Sequence, residues 1–256
     1  MSWSRITAIA GQDLRILRRD PFFVIVATVM PLLLMGFLNK GLTSAAAGPG
    51  VASGAAQVVP GMSLVFAFFS VANLGYCIFR EHGWNTWDRL RASHAGTADI
   101  MVGKTLVPAA VLTVQMGIFF TVGSLLTGLH VNGSVLGVVF VAALTEINVL
   151  CLGLLLVALC RNIMQLNAIA NLGSILLAGL GGALAPVALL PQWVQWIARL
   201  TPGYWAMEGF REVIVVGSGV VGALRPMLFL LAFSAAFAVL AWRRFRIDES
   251  KGVAWG

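Results

Sequence analysis

The chain is poor in charge and in cysteine, and each shortage excludes a class of protein. Only 11% of its 256 residues are charged and 59% are apolar, whereas an ordinary soluble domain has about 25% charged residues. With a mean hydropathy of +0.90, this composition excludes disorder, coiled coils and ordinary globular folds. The three cysteines, Cys77, Cys151 and Cys160, lack the spacing of a disulfide framework or a metal site. We interpret them as small buried hydrophobic residues.

Six apolar stretches are long enough to cross a bilayer as helices, for which ~20 mostly apolar residues are needed. They cover residues 21–38, 58–79, 105–128, 135–159, 166–185 and 220–242. All are too long and too apolar for the strands of a barrel. The sequence therefore predicts an all-α, polytopic membrane protein that forms a single transmembrane domain over residues 1–256.

The basic residues predict the orientation of the chain. Of the 17 Lys and Arg residues, thirteen fall before the first span, between the second and third, after the fourth and after the last. The other four, Lys40, Arg199, Arg211 and Arg225, fall on the opposite side. Because cytoplasmic loops collect basic residues, both termini are predicted to be cytoplasmic. The net charge of +7 then reports topology in the plasma membrane, and no nucleic acid is expected as a partner.

Residues 1–20 have the pattern of an amphipathic helix lying in the inner membrane surface. Apolar residues recur at three- and four-residue steps, at Trp3, Ile6, Ala10, Leu14 and Leu17, with the arginines mainly off that stripe. Pro21 is expected to end the helix. The alternative is a basic anchor that only obeys the positive-inside rule.

Residues 80–104 form the longest predicted cytoplasmic segment, and most helix connections in bundles are shorter. The segment favours a short helix offered to a cytoplasmic partner, or else a solvated loop with Trp84 and Trp87 at the lipid headgroups. Residues 98–105 imitate a phosphate-binding loop. A true loop of that kind follows a buried strand in an α/β domain, so we reject it and interpret Lys104 as a charge at the end of the third span.

Residues 190–219 are too interrupted to span and predict a shallow re-entrant or interfacial helix on the outer side. Thr201 is a candidate N-cap, Pro202 suits the first helical position, and Gly217 or Gly219 can end the helix. Glu208 and Arg211 are spaced as neighbours on one face. The alternative is a surface helix whose charges face water.

Catalytic patterns are missing from the sequence, and no catalytic or metal-binding residue is proposed. Glu146 is the only carboxylate within a predicted span, which makes it a candidate functional residue by default. With Asn148 nearby, it could instead form hydrogen bonds between helices. A membrane domain without an evident energy source favours a subunit driven by another protein.

The chain resembles the permease subunit of type-2 ABC exporters, which include drug or antibiotic exporters and polysaccharide exporters. Three groups of residues carry the resemblance in order along the chain: Arg18-Arg19-Asp20-Pro21 with Met30-Pro31; Val59-Pro60-Gly61 with Arg80-Glu81, Thr86, Leu90 and Gly103-Lys104; and Pro202, Tyr204, Glu208, Phe210 and Arg211. Asn85 and Ser93-His94 depart from the family's usual glycine and Thr-Pro.

The resemblance implies a complex of two permease domains, from two copies or two related chains, with two cytoplasmic ABC ATPase subunits. ATP and Mg²⁺ are expected on the ATPase, with no cofactor bound by this chain and no enzymatic activity of its own. It further implies that residues 80–104, the coupling segment, dock on the ATPase. Residues 190–219, the outer segment, would gate the exit. For coupling we expect Glu81, Trp84, Thr86, Trp87, Asp88 and Arg89; for the outer gate we expect Tyr204, Glu208 and Arg211.

The substrate expected from this resemblance is an amphiphilic small molecule, drug or lipid-like compound leaving the cytoplasm or the inner leaflet. Export of a polysaccharide or lipid-linked glycan is the alternative within the family. Outside it, the alternatives are an ion-gradient-driven transporter using Glu146, a lipid-handling enzyme and a membrane-anchored assembly protein.

Overall fold

A computed structural model of the chain describes residues 2–45, 54–84 and 86–245, without the side chains of residues 40–45 and 91. In that part the chain is all-α. Its α-helices are α1 (Trp3–Arg19), α2 (Phe22–Ala45), α3 (Gly54–Gly83), α4 (Trp87–Arg91), α5 (Thr97–Thr127), α6 (Val135–Leu159), α7 (Ile163–Leu180), α8 (Gln192–Ala198), α9 (Pro202–Arg211), α10 (Gly219–Gly222) and α11 (Leu224–Arg244). Asn85, where the sequence departs from the family's pattern, lies outside the described residues, as do Arg246 and Lys251 of the basic tail.

Six of the described helices are long and apolar enough to cross a membrane, namely α2, α3, α5, α6, α7 and α11. This confirms the prediction of an all-α polytopic membrane protein with six spans. The predicted fourth span, 135–159, coincides with α6. The orientation of the termini stays a prediction.

Helix α3 lies at the centre of the bundle and contacts α2, α5, α6, α7 and α9. In its most apolar stretch 61% of the residues are buried, against 11% in the stretch Phe22–Asn39 of α2, which leaves most of α2 open to lipid or to another protein. Close packing of α3 depends on Gly61, where a Cβ atom would collide with the carbonyl oxygen of Ala183.

Two of the spanning helices run further than hydropathy indicates. Helix α3 continues to Gly83 and α5 begins at Thr97, so the connector between them is shorter than residues 80–104. Charged residues therefore lie within long helices rather than in a loop. This is possible because Glu81 and Lys104 are buried and paired with each other, which offsets the cost of their charges.

Helix α1 begins at Trp3 and ends at Arg19, as the periodicity predicts, and it packs against α5. The face that meets the protein differs from the predicted stripe. Ile6, Ile9 and Asp13 are buried, whereas Trp3 is 71% exposed and Leu14 is 39% exposed. The helix thus has one face for the bundle and a second apolar face, including Trp3 and Leu14, that stays open.

Candidate coupling site and ion cluster

Helix α4 is a five-residue helix attached to the bundle by its aromatic residue. Trp87 is 4% exposed and belongs to an apolar cluster with Ile9 of α1, Phe79 of α3 and Ile100 of α5. Its ring also lies 4.3 Å from the ring of His82. A side chain buried among several helices holds α4 in a fixed place at this end of the bundle.

The opposite face of α4 is open. Asp88 and Arg89 are exposed, and Trp84, just before the helix, is 56% exposed. The predicted coupling residues therefore fall into two groups. Trp84, Asp88 and Arg89 present a surface, whereas Glu81 and Trp87 are buried and do not.

Thr86 joins α4 to the end of α3. Its hydroxyl donates to the carboxylate of Glu81 at 2.5 Å, and its backbone N–H donates to the Glu81 carbonyl at 3.0 Å. A displacement of α4 would consequently pull directly on Glu81.

Glu81 belongs to a buried group of four charged residues, here called the ion cluster: Asp13, Arg80, Glu81 and Lys104. The Lys104 ammonium lies 2.6 Å from a Glu81 oxygen and 2.9 Å from Asp13 Oδ1. The Arg80 guanidinium donates to the same Asp13 oxygen at 3.0 Å. The side chains of Lys104, Asp13 and Glu81 are 1%, 2% and 3% exposed. The cluster thereby links α1, α3 and α5.

The charges of the ion cluster balance, which makes its burial possible. Two carboxylates face an ammonium and a guanidinium, and charge-assisted hydrogen bonds join them. Burial raises the pKa of the Asp13 carboxyl, and the neighbouring Lys104 and Arg80 oppose that rise. Removing one partner would leave an uncompensated buried charge, which is strongly destabilising.

A second set of polar contacts fixes the beginning of α1. Asp99, in the first turn of α5, accepts hydrogen bonds from the backbone N–H groups of Ser2 at 3.1 Å and of Gly96 at 3.3 Å. Arg5 lies 3.8 Å from the Asp99 carboxylate and donates to the carbonyl of His94. Helix α1 is thus held along its length, by Asp99 at its start and by the ion cluster near its end.

The predicted outer-gate residues lie on α9, at the end of the helix bundle opposite to α4. The Thr201 side chain accepts from the Tyr204 N–H at 3.4 Å, and Pro202 is the first helical residue, which confirms both predictions about the start of this helix. After α9 a π-helical turn, Glu212–Val216, ends at Gly217, whose φ of 75° is a left-handed conformation that favours glycine.

Arg211 is the centre of the charges on α9. Its guanidinium donates two hydrogen bonds to Glu208, at 3.0 and 2.8 Å, and one to Glu212 at 3.0 Å. The bonds to Glu208 raise the pKa of Arg211. Tyr204, Glu208 and Glu212 line a polar cavity of about 400 Å³, which Arg211 borders through these bonds. The structure therefore brings the three predicted outer-gate residues together.

The two predicted intramembrane polar residues each join α6 to another helix. Asn148 is buried and donates to the Ser234 hydroxyl of α11 at 3.2 Å. Glu146 is half-buried and accepts from the Thr113 hydroxyl of α5 at 2.7 Å. Both contacts agree with the alternative of hydrogen bonds between helices.

The sequence pattern does not predict the roles of Asp13 and Arg80, and Lys104, predicted at the end of a span, lies within a buried cluster. One signal was available for Asp13. It continues the three- and four-residue spacing of Ile6 and Ile9 and is the only acidic residue of α1. An acidic residue on the buried face of an amphipathic helix requires a buried cation as its partner.

The fold and the site together define a multi-pass membrane protein that holds a short helix, α4, against one end of its bundle. Residues 5–215 match the family model described as ABC-2 type transporter, and the chain belongs to that family. Its six spans fit the membrane subunit of such a transporter. This confirms the resemblance drawn from the sequence.

One curated relative is the "Linearmycin resistance permease protein LnrN" of Bacillus subtilis (strain 168). It is 29% identical over 184 residues, which cover 72% of this chain and 48% of the relative. The chain thus spans about half the length of the curated relative it matches.

Proposed function

We propose that the chain is the permease of an exporter that moves an amphiphilic small molecule, drug or lipid-like compound out of the cytoplasm or inner leaflet. Cytoplasmic ABC ATPase subunits would dock on the exposed face of α4, with ATP and Mg²⁺ bound by the ATPase. Two permease domains, from two copies or two related chains, would form the pathway. In this arrangement both termini are cytoplasmic and the protein lies in the plasma membrane.

The observation that carries the coupling proposal is the connection from α4 to the ion cluster. An ATPase that moves Asp88 and Arg89 also moves Thr86, whose hydroxyl is bonded to Glu81. Glu81 is bonded in turn to Lys104, which also binds Asp13. The motion would therefore reach α3, α5 and α1 together. Glu81 acts here as a buried positioning residue rather than as a contact of the ATPase.

The open face of α2 and the polar outer cavity support the rest of the pathway. Low burial of Phe22–Asn39 leaves a long apolar surface for a second permease domain. Tyr204, Glu208 and Arg211 would gate the exit, because they place a charged network beside a cavity on the segment that precedes the last span. Similarity to a permease named for resistance to linearmycin favours a compound of the drug type over a glycan.

Co-purification from the native membrane tests the proposal. The wild-type chain should retain a soluble ATPase in mild detergent, identified by mass spectrometry. The Arg89→Glu variant should lose most of that ATPase, because it reverses a charge on the docking face. Arg243→Glu is the matched control, because Arg243 is exposed in the last turn of α11. It lies at the same end of the bundle as α4, since Phe245, just after α11, packs in the same apolar cluster as Trp87.

Purification of the chain without an ATPase would favour the competing mechanism, which is ion-gradient-driven transport. A chain that purifies without an ATPase, and whose transport survives ATP depletion but stops in a Glu146→Gln variant, would replace the ABC mechanism by ion-gradient-driven transport. Export of a glycan would instead appear as accumulation of a lipid-linked polymer when the chain is deleted, with no change in drug sensitivity.

A further inference from the structure

A cavity of about 720 Å³ lies beside the ion cluster, between α1, α2, α3 and α5. We call it the α1 cavity. Asp13 of the coupling connection and Trp84 beside α4 line it, whereas the outer-gate residues line a different cavity. Its walls include Asp13 of α1, Val24 of α2, Arg80 of α3 and Val111 of α5. This volume lies within the range of small-molecule binding sites.

The polarity of the α1 cavity changes from one end to the other. Asp13, Arg80 and Trp84 line it at the level of the ion cluster, whereas Ala72 and Val111 line it further along α3 and α5. The amides Asn73 and Asn167 also line the cavity, so its far wall is mainly but not wholly apolar. Arg80 and Ala72 are eight residues apart on one helix, a rise of about 12 Å. A polar end and an apolar wall over that length match a headgroup followed by the first part of an acyl chain.

Two buried polar atoms at the polar end have no hydrogen-bond partner among the described residues: Asp13 Oδ2 and Arg80 Nε. Both residues line the cavity, and their side chains are 2% and 10% exposed. The other Asp13 oxygen, Oδ1, accepts hydrogen bonds from Lys104 and from Arg80 Nη2. A buried carboxylate oxygen lacks a donor and a buried guanidinium N–H lacks an acceptor, so a bound group that supplies both would complete the hydrogen bonding here.

The charges around the cavity exclude a ligand of one sign. The lining contains the acidic residues Asp13 and Asp20 and the basic residues Arg19 and Arg80. A simple anion would meet the two carboxylates, and a simple cation would meet the two guanidinium groups. A group that carries both charges finds a residue of opposite sign for each of them.

We propose that the α1 cavity binds a zwitterionic amphiphile. Its ammonium donates to Asp13, its phosphate or carboxylate accepts from Arg80, and its chain lies along the wall formed by Ala72 and Val111. A bilayer phosphatidylethanolamine and a transported compound with the same head chemistry are the two sources. The binding itself does not depend on the proposed export function.

Native mass spectrometry of the full chain with equimolar phosphatidylethanolamine, phosphatidylcholine and phosphatidylglycerol tests the proposal. We expect preferential retention of phosphatidylethanolamine by about tenfold. Phosphatidylcholine has no hydrogen-bond donor for Asp13, and phosphatidylglycerol has only neutral hydroxyl donors and no positive charge. Retention of phosphatidylglycerol to the same extent would overturn the zwitterionic site. Retention of no lipid would show that ordered water alone fills the polar end.

Matched variants locate the binding without disturbing the ion cluster. Val111→Trp should fill the apolar wall and abolish retention, whereas Val114→Trp, at a 61% exposed position of the same helix, should not. Arg19→Gln, at the lining, should weaken retention more than Arg18→Gln, which is exposed and outside the lining. Equal retention in Val111→Trp and Val114→Trp would place the lipid elsewhere.

Trapping the complete transporter with ADP and vanadate distinguishes the two sources. A resident lipid stays bound in the trapped complex, whereas a transported amphiphile is released from it. Either result agrees with a zwitterionic site. If no ATPase can be assembled with the chain, the proposed function fails, while the retention measurements on the chain alone still decide the site.

Discussion

At the scale of single residues, Lys104 has the most demanding environment in the described part of the chain. Its side chain is 1% exposed, and its ammonium is bonded to Asp13 and Glu81, which belong to two other helices. An ammonium in such a place is stable only because both partners are present. The same residue type at the surface would contribute little.

Replacing Lys104 by methionine should therefore destabilise the chain strongly. The variant leaves Asp13 and Glu81 facing each other with only Arg80 as a cation, at a cost of about 3–5 kcal/mol. Thermal unfolding of the purified chain in detergent measures the loss. Arg211→Met is the control, because Arg211 is 51% exposed and its ion pairs should contribute about 1 kcal/mol or less. Equal losses in both variants would contradict the role of the ion cluster.

At the scale of elements, α1 is attached to α5 through a close contact of backbones. A Cβ atom on Gly103 would lie 2.9 Å from Ile9 Cβ and 3.3 Å from the Ile6 carbonyl oxygen. The glycine thus allows α1 to approach closely enough for Asp13 to reach Lys104. The attachment of α1 depends on this spacing as well as on its charges.

Gly103→Ala should move α1 away from α5. The added methyl group overlaps Ile9, and overpacking of this kind costs about 1–3 kcal/mol. Faster proteolysis within residues 2–20 would report the displacement. Gly117→Ala, on the same helix with nothing within 4 Å of the added Cβ, should leave proteolysis unchanged. A stable, protease-resistant Gly103→Ala variant would show that α1 can pack against α5 at a larger distance.

The link between α4 and α3 can be tested separately from the docking surface. Thr86→Val removes the hydroxyl that binds Glu81 and keeps the shape of the side chain. We expect the ATPase to remain bound while drug export falls several-fold. Thr121→Val is the control, since that exposed hydroxyl donates only to carbonyl groups of its own helix. Unchanged export in Thr86→Val would remove this connection from the mechanism.

At the scale of the whole molecule, the two ends of the bundle differ in the charged groups that they carry. The end that carries α1, α4 and the last turn of α11 has the ion cluster and most of the basic residues. The other end carries α8, α9 and the polar cavity around Tyr204 and Glu208. This asymmetry underlies the proposed orientation, with the α1 end in the cytoplasm.

Labelling of intact cells tests that orientation. In a chain whose native cysteines are replaced by alanine, a membrane-impermeant maleimide should react with His130→Cys in the turn after α5. It should react with Arg18→Cys and Arg243→Cys only after the cells are opened. All three positions are exposed in the structure. Reaction of Arg18→Cys in intact cells would reverse the assignment of the two ends.

The contacts that the sequence predicted are those between near neighbours along the chain. Hydropathy located all six spans, and the spacing of Thr201, Glu208 and Arg211 predicted a helix start and an ion pair that the structure contains. The spans follow from the hydropathy of runs of about 20 residues, and the helix start and the ion pair follow from residues three positions apart.

The ion cluster could not be predicted in the same way. Lys104 is 91 residues from Asp13 and 23 from Glu81, and no local pattern indicates which distant charges will meet. Hydropathy also assigns each charge its full cost in a membrane, so it ended the second span too early and began the third too late. The pairing that removes this cost exists only in the folded bundle.

The ion cluster also sets an order for biogenesis. Asp13 and Lys104 are separated by 91 residues, a stretch that a ribosome needs roughly 5–20 s to translate. Before that interval ends, α1 and α3 have been made, yet Asp13 and Glu81 have only Arg80 as a cation, because Lys104 is still missing. The end of the bundle that carries α1 can therefore close only after α5 has been inserted. Until then the cluster holds two carboxylates and a single guanidinium, so that one negative charge has no counter-charge.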